Sequence, residues 1–174
     1  MKHSMSFCRR ALVLAVLPAV AVAQPAAPAR PFVVARHGDL WLVDGDGSSP
    51  GWTRLTSGPA WDREPALTPD GRSVVFASDR AGGSDVWRVA LGPGPTGTAA
   101  GEPERLTTSA EWEGEPAAGP DGRVAFVRGQ GPLARVWLRA ADGAERRLTS
   151  GQTAEHWPAY APDGGRVALV VAGD

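Results

Sequence analysis

The chain has 174 residues, with 18 basic and 19 acidic side chains, and 43% of its residues are hydrophobic. This composition can bury a core, which excludes a disordered chain, and the small net charge excludes a strongly basic nucleic-acid-binding surface. The 22 Gly and 16 Pro exceed average usage and argue against long helices.

The first residues have the pattern of a targeting segment. A basic start that includes Arg9 and Arg10 precedes an apolar run at 11–22, which is shorter than the roughly 20 residues that a membrane span needs. Small residues at 21–23 fit a cleavage site. We therefore predict a secretory signal peptide at 1–23 and an exported bacterial protein, periplasmic or extracellular.

The chain that remains after cleavage is mildly acidic and has no cysteine. It keeps 15 basic and 19 acidic groups, a net charge of −4, and the only cysteine, Cys8, lies in the predicted leader. We expect no disulfide and no transmembrane segment in this mature chain. Residues 24–31, rich in Ala and Pro, are predicted to form a short extended linker.

Three segments of the mature chain align without gaps. Each begins with Leu-Thr, reaches a Pro ten positions after the Leu, and reaches Pro-Asp-Gly four positions after that Pro. The copies start at Leu55, Leu106 and Leu148, so the period is 51 and then 42 residues, and a Gly/Pro-rich insertion at 92–101 absorbs the difference. A fixed spacing in three copies indicates a repeat architecture.

Short β-type runs occupy equivalent places in each copy. The runs that follow Pro-Asp-Gly are 73–77, 123–127 and 166–171, and the runs centred on a tryptophan are 39–43, 85–89 and 135–138. With one strand at the Glu-Pro step and one ending at Leu-Thr, each unit is predicted to have four strands. Four strands and 40 to 45 residues are typical of a β-propeller blade.

The predicted fold class is all-β, with four-stranded antiparallel propeller blades in an open or incomplete ring of about 3.5 blades. The predicted units are a partial blade at 32–57, blades at 58–108 and 109–150, and a partial blade at 151–174. Because propellers close with four to eight blades, two hypotheses remain. Either the chain is a fragment of a longer propeller, or two copies complete a ring by pairing the edge strand at 167–171.

The Pro-Asp-Gly steps are predicted to be structural turns between strands. Pro presets φ for the first central position of a type I turn, Asp tolerates the second, and Gly supplies a positive φ. The predicted turns are Pro69-Asp70-Gly71, Pro120-Asp121-Gly122 and Pro162-Asp163-Gly164.

The order Leu-Thr, Pro, Pro-Asp-Gly, Val-Val-Phe-Ala-Ser-Asp-Arg, Asp-Val-Trp resembles the TolB-like (WD40-like) β-propeller repeat family. Residues 55–91 match best, through Ser78-Asp79-Arg80, whereas the second copy has Val127-Arg128-Gly129 at that step. The resemblance implies a periplasmic module that binds a protein or peptide over its face. It implies no activity, because similar blades precede hydrolase domains in the prolyl oligopeptidase family and in amidohydrolase-like proteins.

A carboxylate recurs seven positions after each Leu of Leu-Thr, at Asp62, Glu113 and Glu155. In a propeller this position lies where the chain enters the inner strand, so the three groups could form an acidic arc around the central axis and attract a cation or a basic segment. The alternative is structural, because each carboxylate could pair with a nearby Arg or accept backbone N–H bonds.

Several tryptophans accompany these positions. Trp61 and Trp112 precede two of the acids and are either exposed anchors for a partner or core residues, whereas Trp41, Trp87 and Trp137 are expected in the core. The sequence has no motif of a metal site, a nucleophile elbow or a phosphate loop. We therefore expect no catalytic residues, no metal and no cofactor.

Three functions remain open from the sequence, of which one, a propeller that binds a carbohydrate or another small molecule, is supported only by the tryptophans. The first is an exported propeller that binds a protein or peptide over its face, with Asp62, Glu113, Glu155, Trp61 and Trp112 as candidate binding residues. The second is the N-terminal propeller of a hydrolase, prolyl oligopeptidase-like or amidohydrolase-like, whose catalytic domain is absent from this chain.

Overall fold

The computed structural model describes residues 31–44, 51–93, 98–99 and 101–173. The predicted signal peptide at 1–23 and nearly all of the predicted linker lie outside these residues. Among the helices of the described part, none has the length and apolar character needed to cross a membrane.

Within the described residues, thirteen strands form four antiparallel sheets in chain order. The first sheet contains β1 (Phe32–Arg36), β2 (Asp39–Asp44) and β3 (Gly51–Arg54). The second contains β4 (Asp62–Leu67), β5 (Ser73–Ser78), β6 (Asp85–Ala90) and β7 (Glu104–Arg105). The third contains β8 (Glu113–Ala118), β9 (Val124–Arg128), β10 (Arg135–Arg139) and β11 (Glu145–Arg147). The last contains β12 (Glu155–Tyr160) and β13 (Val167–Val171).

The all-β fold class is confirmed, and the described sheets do not close into a ring. Strands pair only with their chain neighbours within each sheet, as in propeller blades. The register shows which strands are equivalent, because Val34 pairs with Trp41 in the first sheet as Phe76 pairs with Trp87 in the second. Strand β1 therefore corresponds to β5, the second strand of a four-stranded sheet.

The inner strands begin, and the outer strands end, slightly earlier than the motifs predicted. The inner strands β4, β8 and β12 start two residues before the Glu-Pro or Trp-Pro step. The outer strands β7 and β11 end before the Leu of Leu-Thr. The side chains of Leu55 and Leu106 are buried in the clusters between sheets instead.

Two of the three Pro-Asp-Gly turns have the predicted geometry, and the second copy differs. Gly71 N–H donates to Thr68 C=O, which places Pro69 at the first central position, and Gly164 N–H donates to Ala161 C=O in the same way. In the second copy Arg123 N–H donates to Pro120 C=O, and Asp121 and Gly122 both have positive φ. That connection is one residue shorter, so both central residues must turn in the left-handed sense.

The core lies between adjacent sheets. The first two sheets bury Leu40, Leu42, Val74 and Phe76 with their neighbours. Val75, Val86, Val124 and Phe126 are buried between the second and third sheets, and Val127, Ala134 and Val136 beside the last sheet. Trp41, Trp87 and Trp137 are half-buried. Trp87 and Trp137 pack against two of these clusters.

The same backbone hydrogen bond joins each sheet to the next. The first residue of each inner strand donates its N–H to a backbone carbonyl of the preceding sheet. The acceptor lies in the connection that follows β1, β5 or β9. The three bonds are Asp62 to Gly38 at 2.8 Å, Glu113 to Ser84 at 2.8 Å and Glu155 to Ala134 at 3.1 Å. These bonds place the starting ends of the inner strands side by side, and we call the surface formed there the mouth.

Candidate functional site at the mouth of the propeller

The three repeated carboxylates are the first residues of the inner strands, and all three are buried. Asp62, Glu113 and Glu155 are 1%, 0% and 2% exposed. A carboxylate that is removed from water requires charged or hydrogen-bonding partners. The partners differ from sheet to sheet, and they show whether each carboxylate has a structural role or is free to bind a ligand.

Asp62 is held by the Ser-Asp-Arg step that carried the family resemblance. The Ser78 hydroxyl donates to Asp62 Oδ1, and Arg80 Nη2 lies 2.7 Å from both carboxylate oxygens. Asp79 Oδ1 accepts the N–H of Trp61 at 2.8 Å. Ser78, Asp79 and Arg80 therefore hold the start of the inner strand, through the Trp61 backbone N–H and through the Asp62 carboxylate.

Glu113 has a different arrangement, because its partner arginine is shared. Arg128 donates to Glu113 Oε1 at 2.6 Å and also pairs with Glu145. The second oxygen of Glu113, Oε2, is buried and has no hydrogen-bond partner in the part of the chain that the structure describes. Burial raises the pKa of Glu113 above its ordinary value of 4.5, although Thr107 and the Arg128 guanidinium oppose that rise.

Glu155 has no arginine partner among the described residues. Its Oε2 accepts the Val136 N–H at 3.0 Å and the Thr149 hydroxyl. In the two preceding units a threonine hydroxyl serves directly as the acceptor, because Leu40 N–H donates to Thr56 and Val86 N–H donates to Thr107. Glu155 thus completes a bond between the third and last sheets.

The open acidic arc expected from Asp62, Glu113 and Glu155 is not present. The carboxylates are paired and inaccessible, since burial between sheets leaves room for intramolecular donors only. They take the structural role that the sequence left as the alternative.

We predict that Glu113→Gln changes the pH dependence of stability. Because the folded-state pKa of Glu113 is raised, the unfolded chain ionises at lower pH than the folded chain does. Wild-type stability therefore falls as pH rises from the pKa of Glu113 in the unfolded chain to its higher pKa in the folded chain. Glutamine does not ionise, so the variant does not show this fall. Urea denaturation at pH 4 and pH 7 should show the variant gaining on wild type at pH 7. A difference that is constant, or that favours wild type as pH rises, would contradict the raised pKa.

A second repeated feature lies two residues further along each inner strand. Glu64, Glu115 and Trp157 have positive φ values of 55°, 51° and 48°. Each precedes a proline, and the ladder skips these two residues opposite a single residue of the neighbouring strand, which is a β-bulge. Proline has no N–H, so it needs no donor partner in the ladder.

The bulge residues are joined from one sheet to the next. Glu64 Oε2 accepts the Glu115 N–H at 2.6 Å, and Glu115 Oε2 accepts the Trp157 N–H at 2.6 Å. The other oxygen of Glu115 lies 2.9 Å from His156 Nδ1. We call this chain of bonds the bulge relay, and it satisfies N–H groups that the bulges leave without ladder partners.

The sequence pattern alone does not predict the bulge relay. Its signal was present as a Pro ten positions after each Leu, preceded by Glu, Glu and Trp. Since a left-handed bulge is not apparent from alternation of residue types, the role of these residues became visible only in the structure.

The mouth exposes two large aromatic side chains. Trp61 and Trp157 are 60% and 66% exposed, whereas Trp112 is half-buried. A Cβ on Gly114 would lie 2.4 Å from the Trp112 ring and 2.9 Å from Glu64 Oε2, so the ring and the carboxylate meet over this glycine. Of the two predicted tryptophan anchors, only Trp61 is well exposed, and the structure adds Trp157 as a third candidate.

Ligands for a metal ion are not grouped at the mouth. Within the described ranges, no three His, Cys, Asp or Glu side chains are placed to hold a metal ion together. Trp61 and Trp157 offer aromatic contact at the mouth, and the Glu64 carboxylate lies beside Trp112.

The family model described as "TolB beta propeller domain" (PD40) matches residues 27–172. The chain belongs to the TolB propeller family. The Tol-Pal system protein TolB of Bordetella pertussis is 42% identical over 55 residues, which is 32% of this chain and 12% of that protein. An uncharacterized protein of Agrobacterium fabrum, Atu1656, is 31% identical over 145 residues, which is 76% of this chain and 46% of that protein.

A solved structure of a putative TolB from Agrobacterium tumefaciens superposes with a TM-score of 0.62 at 26% identity. The superposition covers 84% of this chain and 56% of that one. This chain therefore spans about half or less of the length of each of these TolB propeller relatives.

Proposed function

We propose that this TolB propeller chain is an exported, periplasmic module that binds a protein or peptide over the mouth. The observation that carries the proposal is the pair of exposed tryptophans, Trp61 and Trp157, at the same end of the inner strands. Large exposed aromatic side chains at a defined place on a surface are typical of binding hot spots. The basic and apolar leader pattern at 1–23 supports export.

The backbone at Trp61 and Trp157 is held by hydrogen bonds, which favours a binding role for these two exposed residues. Trp61 is fixed through its N–H by Asp79, and Trp157 is fixed through its N–H by Glu115. A backbone that is already ordered loses less conformational entropy when a partner covers it. In this proposal the residues act by binding and carry out no catalytic step.

The binding prediction concerns Trp61→Ala and Trp157→Ala. We expect each to weaken binding of peptides selected on the folded chain from a random phage-displayed library. Truncating a hot-spot tryptophan costs about 2 kcal/mol or more, which is about 30-fold in Kd. Isothermal titration calorimetry with the synthesised peptides measures this change, and circular dichroism checks that the variants remain folded.

Trp52→Ala is the matched control. Trp52 is also exposed but lies on the outer strand β3, where it stacks edge-on against Trp41. We expect its replacement to leave peptide affinity unchanged. Selected peptides that bind the two mouth variants with wild-type affinity would contradict the proposed site.

A further inference from the structure

Strand β13 of the last sheet has an open edge. It pairs with β12 on one side, as β5 pairs with β4 and β9 pairs with β8. On the other side β5 pairs with β6 and β9 pairs with β10, but no described strand pairs with that side of β13. The unpaired side of a strand is a template for one more strand.

Leu169 is the central residue of this open edge. The pairs with the inner strands show that Leu169 is equivalent to Phe76 of β5 and to Phe126 of β9. Those two phenylalanines lie opposite Trp87 of β6 and Trp137 of β10. A strand that is added to β13 in the same register therefore places its own central residue opposite Leu169.

The backbone groups of Leu169 face the open edge. At the end of the β5–β6 ladder, Leu91 N–H donates to Arg72 C=O at 2.8 Å. Because hydrogen-bonded pairs alternate along an antiparallel ladder, Phe76 and Trp87 also form such a pair. By equivalence, the N–H and C=O of Leu169 are directed toward a strand that is not found in the described part of the chain.

A cleft of about 270 Å³ lies beside this edge, between the third and last sheets. Its apolar lining includes Leu138, Leu148, Val167 and Leu169. Val167 and Leu169 are half-buried, whereas the residues equivalent to them in β5 and β9 are buried. The cleft therefore leaves apolar surface uncovered that the other two interfaces between sheets cover.

At those two interfaces a tryptophan covers the equivalent surface. Trp87 packs against the cluster between the first two sheets, and Trp137 packs against the cluster between the second and third. Both clusters contain a phenylalanine of the second strand and the leucine of a Leu-Thr step. In the cleft these two places are taken by Leu169 and Leu148. Because paired residues have their side chains on the same face of a sheet, a tryptophan opposite Leu169 would enter the cleft.

The cleft is positively charged at the end away from the mouth. Its lining includes Arg123, Arg146 and Arg166, and none of the described residues that line it is Asp or Glu. Arg166 immediately precedes β13. In the register described above, it lies opposite the third residue after the central one. An acidic residue at that place would form a cross-strand pair of opposite charge.

We propose that the open edge of β13 and the cleft beside it bind an extended segment of a partner protein. The segment adds to the last sheet as an antiparallel strand, places a tryptophan in the cleft, and has Asp or Glu three residues after that tryptophan. In this mode of recognition the main-chain hydrogen bonds give affinity, and the side-chain pocket gives specificity. The site is separate from the mouth, so the proposal stands independently of the proposed function.

A synthetic peptide with the sequence of residues 38–44, Gly-Asp-Leu-Trp-Leu-Val-Asp, is the probe. It has a tryptophan with an aspartate three residues later, and the same residues from Asp39 to Asp44 form strand β2. Isothermal titration calorimetry with the full chain measures its Kd. We expect one peptide to bind per chain, and we expect the Trp41→Ala peptide to bind at least about tenfold more weakly.

Methylation of peptide nitrogens separates strand addition from contact of the tryptophan alone. In the proposed register the peptide's Trp41 N–H donates to the Leu169 carbonyl, whereas its Leu42 N–H points away from β13. A methyl group on the Trp41 backbone nitrogen should therefore weaken binding about tenfold. The matched peptide, methylated on the Leu42 backbone nitrogen, should lose less than about threefold.

The position of the bound peptide is tested on the chain itself. Amide hydrogen exchange resolved by NMR should slow at Leu169 when the peptide binds, and it should not change at Trp61 of the mouth. Arg166→Ala should weaken binding of the probe about threefold and leave the affinity of the Asp44→Ala peptide unchanged.

Four outcomes would overturn the proposal. These are no binding at a peptide concentration of about 1 mM, equal affinities of the two methylated peptides, and unchanged exchange at Leu169 in the presence of the peptide. The fourth is a dimer in sedimentation velocity that pairs β13 with a second copy of the chain and excludes the peptide.

Discussion

Replacing Arg80 with alanine is expected to lower the free energy of unfolding by about 3–5 kcal/mol, because it leaves the buried Asp62 carboxylate without its counter-ion. Arg80 Nη2 contacts both oxygens of Asp62, and its guanidinium also covers the rings of Phe76 and Trp87 at 5.4 and 5.1 Å. Urea denaturation followed by tryptophan fluorescence measures the loss.

Two variants separate the buried ion pair from general charge loss. Arg88→Ala removes an arginine from the same sheet whose pair with Glu104 is solvent-exposed, and it should cost less than about 1 kcal/mol. Adding Asp62→Asn to Arg80→Ala should recover part of the loss, since the uncompensated charge disappears. If the Arg80 and Arg88 variants were equally stable, the burial of Asp62 would carry no energetic weight.

Replacing Gly129 with alanine is expected to cost about 2–4 kcal/mol. The residue has a φ of +85°, and a Cβ there would lie 2.6 Å from the Leu133 carbonyl oxygen. The left-handed conformation costs an L-residue about 1–2 kcal/mol, and the backbone clash adds a comparable amount. The same urea denaturation measures the difference in unfolding free energy.

Gly131→Ala is the control for this prediction. Gly131 also has a positive φ, but no heavy atom lies within 4 Å of a Cβ built on it. Its replacement should therefore show only the conformational cost, about 1–2 kcal/mol. Equal losses at the two glycines would show that the Leu133 carbonyl moves aside freely.

The Gly129 variant is also expected to alter the mouth. Gly129 N–H donates to the Trp112 carbonyl at 2.9 Å, and Trp112 packs over Gly114 beside Glu64. A backbone shift at Gly129 would therefore reach the tryptophan that lies between the two exposed ones. The stability of this connection and the shape of the proposed binding surface are linked through one hydrogen bond.

Much of the fold was predictable because it depends on local chemistry. Tryptophan-centred runs and Pro-Asp-Gly turns recur at a fixed spacing, so strand order and fold class followed from the pattern. The exception at Pro120 has a local cause too, since one fewer residue between Gly119 and Arg123 forces two left-handed residues. The shorter connection becomes apparent only when the residues between paired strand positions are counted.

The candidate site was less predictable, because exposure depends on what the neighbouring sheet covers. Asp62, Glu113 and Glu155 recur at one position, yet recurrence is equally compatible with an exposed arc and with buried pairs. The deciding partners are distant in sequence, as Arg80 lies 18 residues from Asp62. The order of charged residues in the sequence does not predict that Arg80 pairs with Asp62.

The repeat, its strands and its family are properties of this amino-acid sequence, because turn residues and alternating apolar runs act over a few positions. Which carboxylates are buried, which tryptophans are exposed and how the bulge relay joins one sheet to the next depend on sheets that pack after they form. Glu64 and Glu115 illustrate the difference. Each is an ordinary charged residue in the sequence, and a left-handed bulge turns each carboxylate toward the backbone of the following sheet.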